Sequence, residues 1–193
     1  GIFPAVWNGQ SFNAESISIR ESQFVYENLF GENTEEGIDF NDLLVRNINA
    51  EFSELHLAGD SLKVGIEQLV LQEQSGFELT GLQTKPRFDS SGIHANQLLL
   101  KTPNSDIQGR LAMLYESRED LSDFLSAVNW NTKLSASKIG LRDIGYFSKE
   151  MRGLDIDLIV HGLITGPISN LNGRRMLIMA GDRTVLRGDI DLT

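Results

Sequence analysis

The sequence predicts a mainly β protein built from antiparallel strands, and two observations lead to this fold class. Apolar and polar residues alternate with period two in short runs that recur about every 8 to 12 residues. Clusters of Gly, Pro, Asn and Asp separate the runs, as expected for tight turns. Residues 75–111 show both features: Phe77 and Leu79 alternate with polar neighbours, and turn sequences fall at 89–92 and 102–105. Such spacing is typical of a meander, a sandwich or a solenoid.

The first part of the chain is expected to form short strands. At polar or glycine-containing positions between them, the apolar residues change from odd to even spacing or the reverse. In the run 16–26 the apolar residues switch parity near 21–23, which indicates a bulge or bend that divides one strand into two. From Phe40 the pattern resumes, and it switches parity again at Asn47. The acidic, glycine-containing stretch 28–39 is interpreted as a mobile loop that packs against nothing.

One short amphipathic helix is predicted from Arg118 to Val128. Ser117 can cap its first turn, and Leu121 and Phe124 follow helical spacing on one face. We expect this helix to plug or cap one end of the sheet, because a single apolar stripe needs a partner surface.

Strands are expected again after the helix. The run 154–160 is the cleanest one-sided strand, because every residue of one parity is apolar, whereas two of the three on the other parity are aspartates. Further strands are predicted within 162–168, 171–179 and 184–192, with glycine-containing turns between them.

The composition of the chain excludes several classes of function. The 193 residues include 17 Lys and Arg against 27 Asp and Glu, a net charge of −10, which argues against binding to nucleic acid. The chain has no Cys, so it can form neither disulfides nor thiolate metal sites. No apolar run approaches the roughly 18 residues that span a bilayer. We expect residues 1–193 to be a single β-rich segment of a much longer protein.

Motifs of known chemistry are absent from the sequence. It contains no phosphate-binding loop, dinucleotide-binding glycine motif, serine-hydrolase elbow or HExxH zinc motif. His56, His94 and His161 are far apart in sequence, which favours structural positions on strands over metal ligation. We therefore expect no catalytic residue, no metal site and no cofactor.

Two pairs of carboxylates are the remaining candidates for chemistry. Asp155 and Asp157 are predicted to share one face of a strand, as the carboxylates of a glycosidase or a calcium site would. Asp189 and Asp191 repeat this spacing. Because neither pair has a second acidic pair near it in sequence, a solvated sheet face is the preferred interpretation, and a hydrolase using Asp155 and Asp157 is the least favoured hypothesis.

The apolar faces of the strands pose a sharper question. They either close on one another in a dry sandwich or stay open as a groove that accepts a hydrophobic guest. Composition alone favours the sandwich.

Five runs in the chain carry a resemblance to a known family: ISIRESQFVY at 17–26, GIDFNDL at 37–43, SGFELTGL at 75–82, LLLKTPNS at 98–105 and VHGLITGPISNL at 160–171. In this order they resemble the TamB family of translocation and assembly module subunits, particularly versions from Bacteroidetes. TamB proteins belong with the AsmA-like proteins, and the likeness extends over about residues 16–193.

The resemblance implies a curled β-groove (β-taco) with an apolar lining, in a periplasmic protein anchored in the inner membrane. It implies phospholipid acyl chains as the ligand, transport of phospholipid between the inner and outer membranes, and assistance to outer-membrane protein assembly. A TamA-type outer-membrane barrel would be the partner, through another region of the full-length protein. The family has no catalytic residues, so no enzymatic activity is expected.

Side-chain parity then indicates which residues would line such a groove. These groove candidates are Ile48, Ala50, Phe52, Leu62, Val64, Ile66, Phe77, Leu79, Leu98, Leu100, Leu154, Ile156, Leu158 and Val160. The alternative, from another class of function, is a structural β-solenoid or adhesin module whose apolar faces are closed and whose ligand is a protein or a glycan.

Overall fold

The computed structural model describes residues 11–30, 34, 36–59, 61–117, 120 and 126–192. The strands are β1 (Phe12–Glu27), β2 (Asp42–Ala58), β3 (Ser61–Glu73), β4 (Glu78–Leu79), β5 (Gly81–Asp89), β6 (Gly92–Lys101), β7 (Asp106–Leu114), β8 (Asn129–Gly140), β9 (Asp157–Gly166), β10 (Leu171–Ala180) and β11 (Thr184–Leu192). One α-helical turn, α1 (Leu141–Ile144), and two 3-10 turns, Lys149–Met151 and Ile168–Asn170, complete the regular structure of this part of the chain.

The strands form one antiparallel sheet, which confirms the predicted mainly β fold class. Each strand pairs with the next along the chain, except that the short β4 pairs only with β3 and the main ladder continues from β3 to β5. β1 and β11 are the two edges of the sheet and do not pair with each other. Most connections of this meander are short hairpins, at turns that Gly, Pro, Asn and Asp marked in the sequence. The connections over 28–41, 115–128 and 141–156 are longer.

The sheet has little conventional core. Its accessible surface is 12538 Å², whereas a compact monomer of 21.5 kDa exposes about 9,200 Å². The described apolar side chains that are fully buried are few, and the main cluster consists of Leu134, Val160 and Met176. The closed dry sandwich favoured by composition is therefore not what forms, because the described strands belong to one sheet rather than to two.

The structure has the bulge predicted near 21–23, but the strand continues through it. The parity change near 21–23 is a bulge in a continuous β1, where Glu21 has φ 45° and the register shifts between Ile19 and Ser22. Asn47, with φ 54°, lies at a second bulge, in β2, where the register shifts between Arg46 and Asn49. The prediction that these runs are separate short strands is wrong, because an extra residue in a bulge reverses the parity without ending the ladder.

The helix predicted from Arg118 to Val128 falls largely on residues 118–119 and 121–125, which lie outside the described residues. Ser126 and Ala127 form a turn, and Val128 is fully buried. The described α-helical turn, α1, lies later in the chain, directly after β8. Within the described residues, no helix is long and apolar enough to cross a membrane.

Candidate functional site

One side of the sheet carries most of its apolar side chains, and we call it the apolar face. Cross-strand partners in an antiparallel ladder point to the same side, so the register identifies its members strand by strand. They include Ile48, Ala50, Phe52, Leu62, Val64, Ile66, Leu79, Leu82, Phe88, Ile93, Ala95, Leu98, Leu100, Ile107, Leu111, Met113, Leu134, Ile139, Leu158, Val160, Ile164, Met176 and Ile178.

Bulges keep this face continuous where the sequence changes parity. In β6, Ala95 pairs with Leu111 and Leu98 pairs with Gly109, and the register shifts between these two pairs at Gln97, which has φ 60°. Without the extra residue, Leu98 and Leu100 would point to the opposite side from Ala95. Bulges also increase the local twist and bend of a strand, which favours a curled sheet over a flat one.

Side chains on the apolar face are mostly half-buried. In the centre, Ala95 and Leu134 are buried, whereas Leu98, Leu100 and Ile164 keep intermediate exposure. Because the described strands form one sheet, we infer that these side chains are shielded mainly by one another, as on the concave side of a curled sheet. The result is a contiguous apolar surface that remains reachable from one side.

Exposure on the apolar face rises towards the two edges of the sheet. Phe24 and Tyr26 on β1 are 52% and 46% exposed, and Leu186 on β11 is 46% exposed. Large aromatic side chains in a row on an edge strand are unusual for an isolated soluble domain, since exposed edges with apolar residues invite pairing.

The structure places most of the fourteen groove candidates on the apolar face: Ile48, Ala50, Phe52, Leu62, Val64, Ile66, Leu79, Leu98, Leu100, Leu158 and Val160. Three candidates lie elsewhere. Phe77 precedes β4, and its ring contacts the rings of Tyr146 and Phe147.

Leu154 and Ile156 are the other two, and their predicted place on a strand is wrong. Both precede β9, which begins at Asp157, and they are 37% and 42% exposed. The physical reason is local: Gly153 adopts φ 75°, and the backbone of Ile156 accepts a hydrogen bond from the N–H of Leu141 rather than joining a longer ladder.

The connection between β8 and β9, residues 141–156, crosses one end of the sheet, and we call it the end cap. Five strand steps separate β8 from β2, about 24 Å along a flat sheet. Nevertheless, Ile38, just before β2, donates its N–H to the carbonyl oxygen of Tyr146 at 2.9 Å. Arg152 forms an ion pair with Glu36 at 2.9 Å and contacts the carbonyl oxygen of Glu36. The end cap thus closes one end of the apolar face.

These contacts correct the interpretation of 28–39 as a loop that packs against nothing. Among its described residues, Asp39 is buried and accepts hydrogen bonds from the N–H groups of Thr34 and Asn41, both at 2.8 Å. Gly37 has φ 78°, and a Cβ there would meet the carbonyl oxygen of Tyr146. A glycine is therefore required where this segment meets the end cap.

A buried carboxylate anchors the end cap to the turn between β6 and β7. Asp143 is 5% exposed and accepts hydrogen bonds from three side chains of that turn, Thr102, Asn104 and Ser105; the bond from Asn104 Nδ2 is 2.8 Å long. Ser105 Oγ also accepts the N–H of Gly140 at 3.1 Å. Sequence analysis missed this cluster, since its parts are about 40 positions apart and only the Thr-Pro-Asn-Ser turn was visible.

Three of the four carboxylates considered for chemistry form ion pairs with basic neighbours. Arg142 binds Asp155, which raises the pKa of the guanidinium through their hydrogen bond and mutual attraction. Lys138 lies 2.8 Å from Asp157, and Arg174 lies 2.6 Å from Asp191. Within the described residues, no group of three or more His, Cys, Asp or Glu side chains could hold a metal ion.

The histidines are also scattered. His56 on β2 contacts Asn13, and His94 Nε2 lies 3.4 Å from Ser91 Oγ. His161 is exposed on the side of β9 opposite to the apolar face.

Comparisons with protein-family models, with curated proteins and with solved structures each returned no match. The candidate function therefore depends on the geometry of the sheet and on the resemblance noted in the sequence. The described part of the chain offers a half-exposed apolar surface to a ligand. The end cap closes one end of this surface, and the edge strands β1 and β11 leave its two sides open.

Proposed function

We propose that this chain is a segment of a TamB-like, AsmA-related protein that guides phospholipid acyl chains along the apolar face and has no enzymatic activity. The observation that carries the proposal is the continuity of that face across β2 to β10 together with its incomplete burial. A closed core would bury the same side chains almost completely, whereas a lipid-guiding surface must leave them reachable.

The free energy available to an acyl chain on such a surface is large. Each methylene transferred from water contributes about 0.8 kcal/mol, so one chain gains roughly 10 kcal/mol. Binding of this kind needs no polar anchor on the apolar face. It also fits the small number of hydrogen-bonding side chains there, since an acyl chain cannot satisfy them.

The edges of the sheet support the part of the proposal that concerns a longer protein. Among the described residues, β1 and β11 each pair on one side only. Further strands of the same kind would cover the aromatic side chains of β1 and extend the apolar face. In the family that this chain resembles, such a protein is anchored in the inner membrane, spans the periplasm and meets a TamA-type outer-membrane barrel through another region; we propose the same setting here.

A matched pair of substitutions on β6 tests the proposal. Leu98 points to the apolar face, whereas Leu99 pairs with Gln108 on the other side and is 39% exposed. Leu98→Glu places a charge on the surface where the acyl chain would lie, and Leu99→Glu makes the same chemical change one residue away. The expected result is at least a tenfold weaker binding of a fluorescent long-chain phospholipid to Leu98→Glu, with Leu99→Glu close to the unchanged protein.

Circular dichroism melting of both variants separates loss of binding from loss of folding. A protein that binds no phospholipid in its unsubstituted form, although it is folded, would contradict the proposal and favour the closed adhesin or solenoid module that recognises a protein or a glycan.

A further inference from the structure

The opposite side of the sheet, which we call the polar face, contains a basic hollow. Its lining comes from four neighbouring strands and consists of Lys85, Arg87, His94, Asn96, Arg110, Ala112 and Asn131, together with Leu111, whose side chain belongs to the apolar face. The cavity volume is about 390 Å³, within the range of small-molecule pockets. In a chain with a net charge of −10, none of these lining residues is acidic.

The hollow exists because a small side chain is surrounded by long ones. Ala112 on β7 pairs with His94 on β6 and with Asn131 on β8, so it lies in the middle of a cross-strand row. Arg87 extends the row on β5, opposite His94. The methyl group of Ala112 forms a floor, and the longer neighbours rise around it.

Like charges are placed directly opposite one another around this hollow. Lys63 on β3 pairs with Arg87 on β5, and Arg110 on β7 pairs with Lys133 on β8. Directly opposed like charges destabilise a sheet. The chain has more acidic than basic residues, so pairing each cation with a carboxylate would have been possible. Residues whose local interactions destabilise the fold are expected at functional sites.

Existing ion pairs leave much of the positive charge available. The Lys85–Glu54 pair is 3.4 Å long and both side chains are more than half exposed, so it contributes little. Arg87 binds Asp89 through Nε at 2.9 Å, which leaves its terminal nitrogens for another acceptor. Arg110 forms no ion pair with any other described residue.

We propose that this hollow binds a phosphate group, presented by a small phosphorylated molecule or by a lipid headgroup. Two guanidinium groups, one ammonium group and the amides of Asn96 and Asn131 supply donors that match the oxygens of a phosphate. The site is on the side of the sheet opposite to the apolar face, so its occupation does not depend on the lipid-guiding function proposed above.

The test uses calorimetric titration of the whole chain at physiological salt with inorganic phosphate and with glycerol 3-phosphate. Arg110→Gln removes a cation that has no ion pair among the described residues, and Ala112→Leu fills the floor without changing any charge. Each is expected to weaken binding at least tenfold, which corresponds to about 1.4 kcal/mol. The matched control is Arg46→Gln, because Arg46 is exposed on the polar face of β2, outside the hollow.

Sedimentation with vesicles of phosphatidylglycerol or of phosphatidylcholine distinguishes the two sources of phosphate. Binding to the phosphatidylglycerol vesicles that is lost in Arg110→Gln and Ala112→Leu, without binding of the soluble phosphates, assigns the site to a lipid headgroup. Binding of the soluble probes with the same losses assigns it to a small phosphorylated molecule. Absence of saturable binding to every probe, or an equal loss in Arg46→Gln, would overturn the proposal.

Discussion

Replacing Asp143 by alanine removes the acceptor that joins the end cap to the β6–β7 turn. Asp143 is buried, and the side chains of Thr102, Asn104 and Ser105 donate to its carboxylate. Each hydrogen bond to a charged group contributes about 1.5 to 3 kcal/mol, and the three bonds are coupled and partly replaceable by water. We therefore expect the free energy of unfolding to fall by about 3 to 5 kcal/mol. For a chain of this length, that lowers the melting temperature by roughly 10 °C.

Circular dichroism melting measures this change, and Asp155→Ala is the matched control. Asp155 is an exposed carboxylate on the same end cap, and its ion pair with Arg142 lies at the surface, so its loss is expected to cost under about 1 kcal/mol. Asp143→Asn keeps one acceptor oxygen and should fall between the two. Melting temperatures for Asp143→Ala and Asp155→Ala that differ by less than about 2 °C would refute the reasoning.

Two further predictions concern the ladder and a turn. Gly109→Ala should destabilise the sheet by more than about 2 kcal/mol, because its Cβ would collide with the backbone oxygen of Lys133. Chemical denaturation checks this against Gly81→Ala, where the added Cβ would meet only the Cβ of Lys101, at an ordinary contact distance of 3.9 Å. The pKa of Asp89 lies below its ordinary value, first because the hydroxyl and the N–H of Ser91 donate to it. This contribution to stability is present above the unfolded pKa of Asp89 and is lost as the pH falls through the lower folded pKa. Ser91→Ala should raise the pKa of Asp89, as measured by NMR titration, and an unchanged pKa would contradict the assignment.

Fold class and side-chain facing could be predicted from the sequence, because both depend on local periodicity. Val64 and Ile66 alternate with polar residues on a single strand, and their place on one face follows from strand geometry. The parity changes at Glu21 and Asn47 were visible as well. A bulge or bend was predicted near Glu21, but the continuation of the strand through it was not, because a change of parity looks the same in sequence whether a strand ends or an extra residue bulges out.

Features that depend on contacts between distant strands could not be predicted. The Asp143 cluster and the contact between Ile38 and Tyr146 join segments that are far apart in the chain, and neither leaves a periodic signal. The basic hollow was missed for the same reason. Arg87, His94 and Arg110 look like ordinary polar positions on three separate strands until the register places them side by side.

Site-specific photo-crosslinking in living cells tests the lipid-guiding account most directly. A photoreactive amino acid at Ile66, Leu98 or Ile164 would contact any acyl chain on the apolar face, whereas one at Glu67, Leu99 or His161 would face the opposite side. The account predicts phospholipid adducts, identified by mass spectrometry, at the first three positions and few or none at the other three. Adducts that are equally frequent on both faces, or absent from the apolar face, would contradict it.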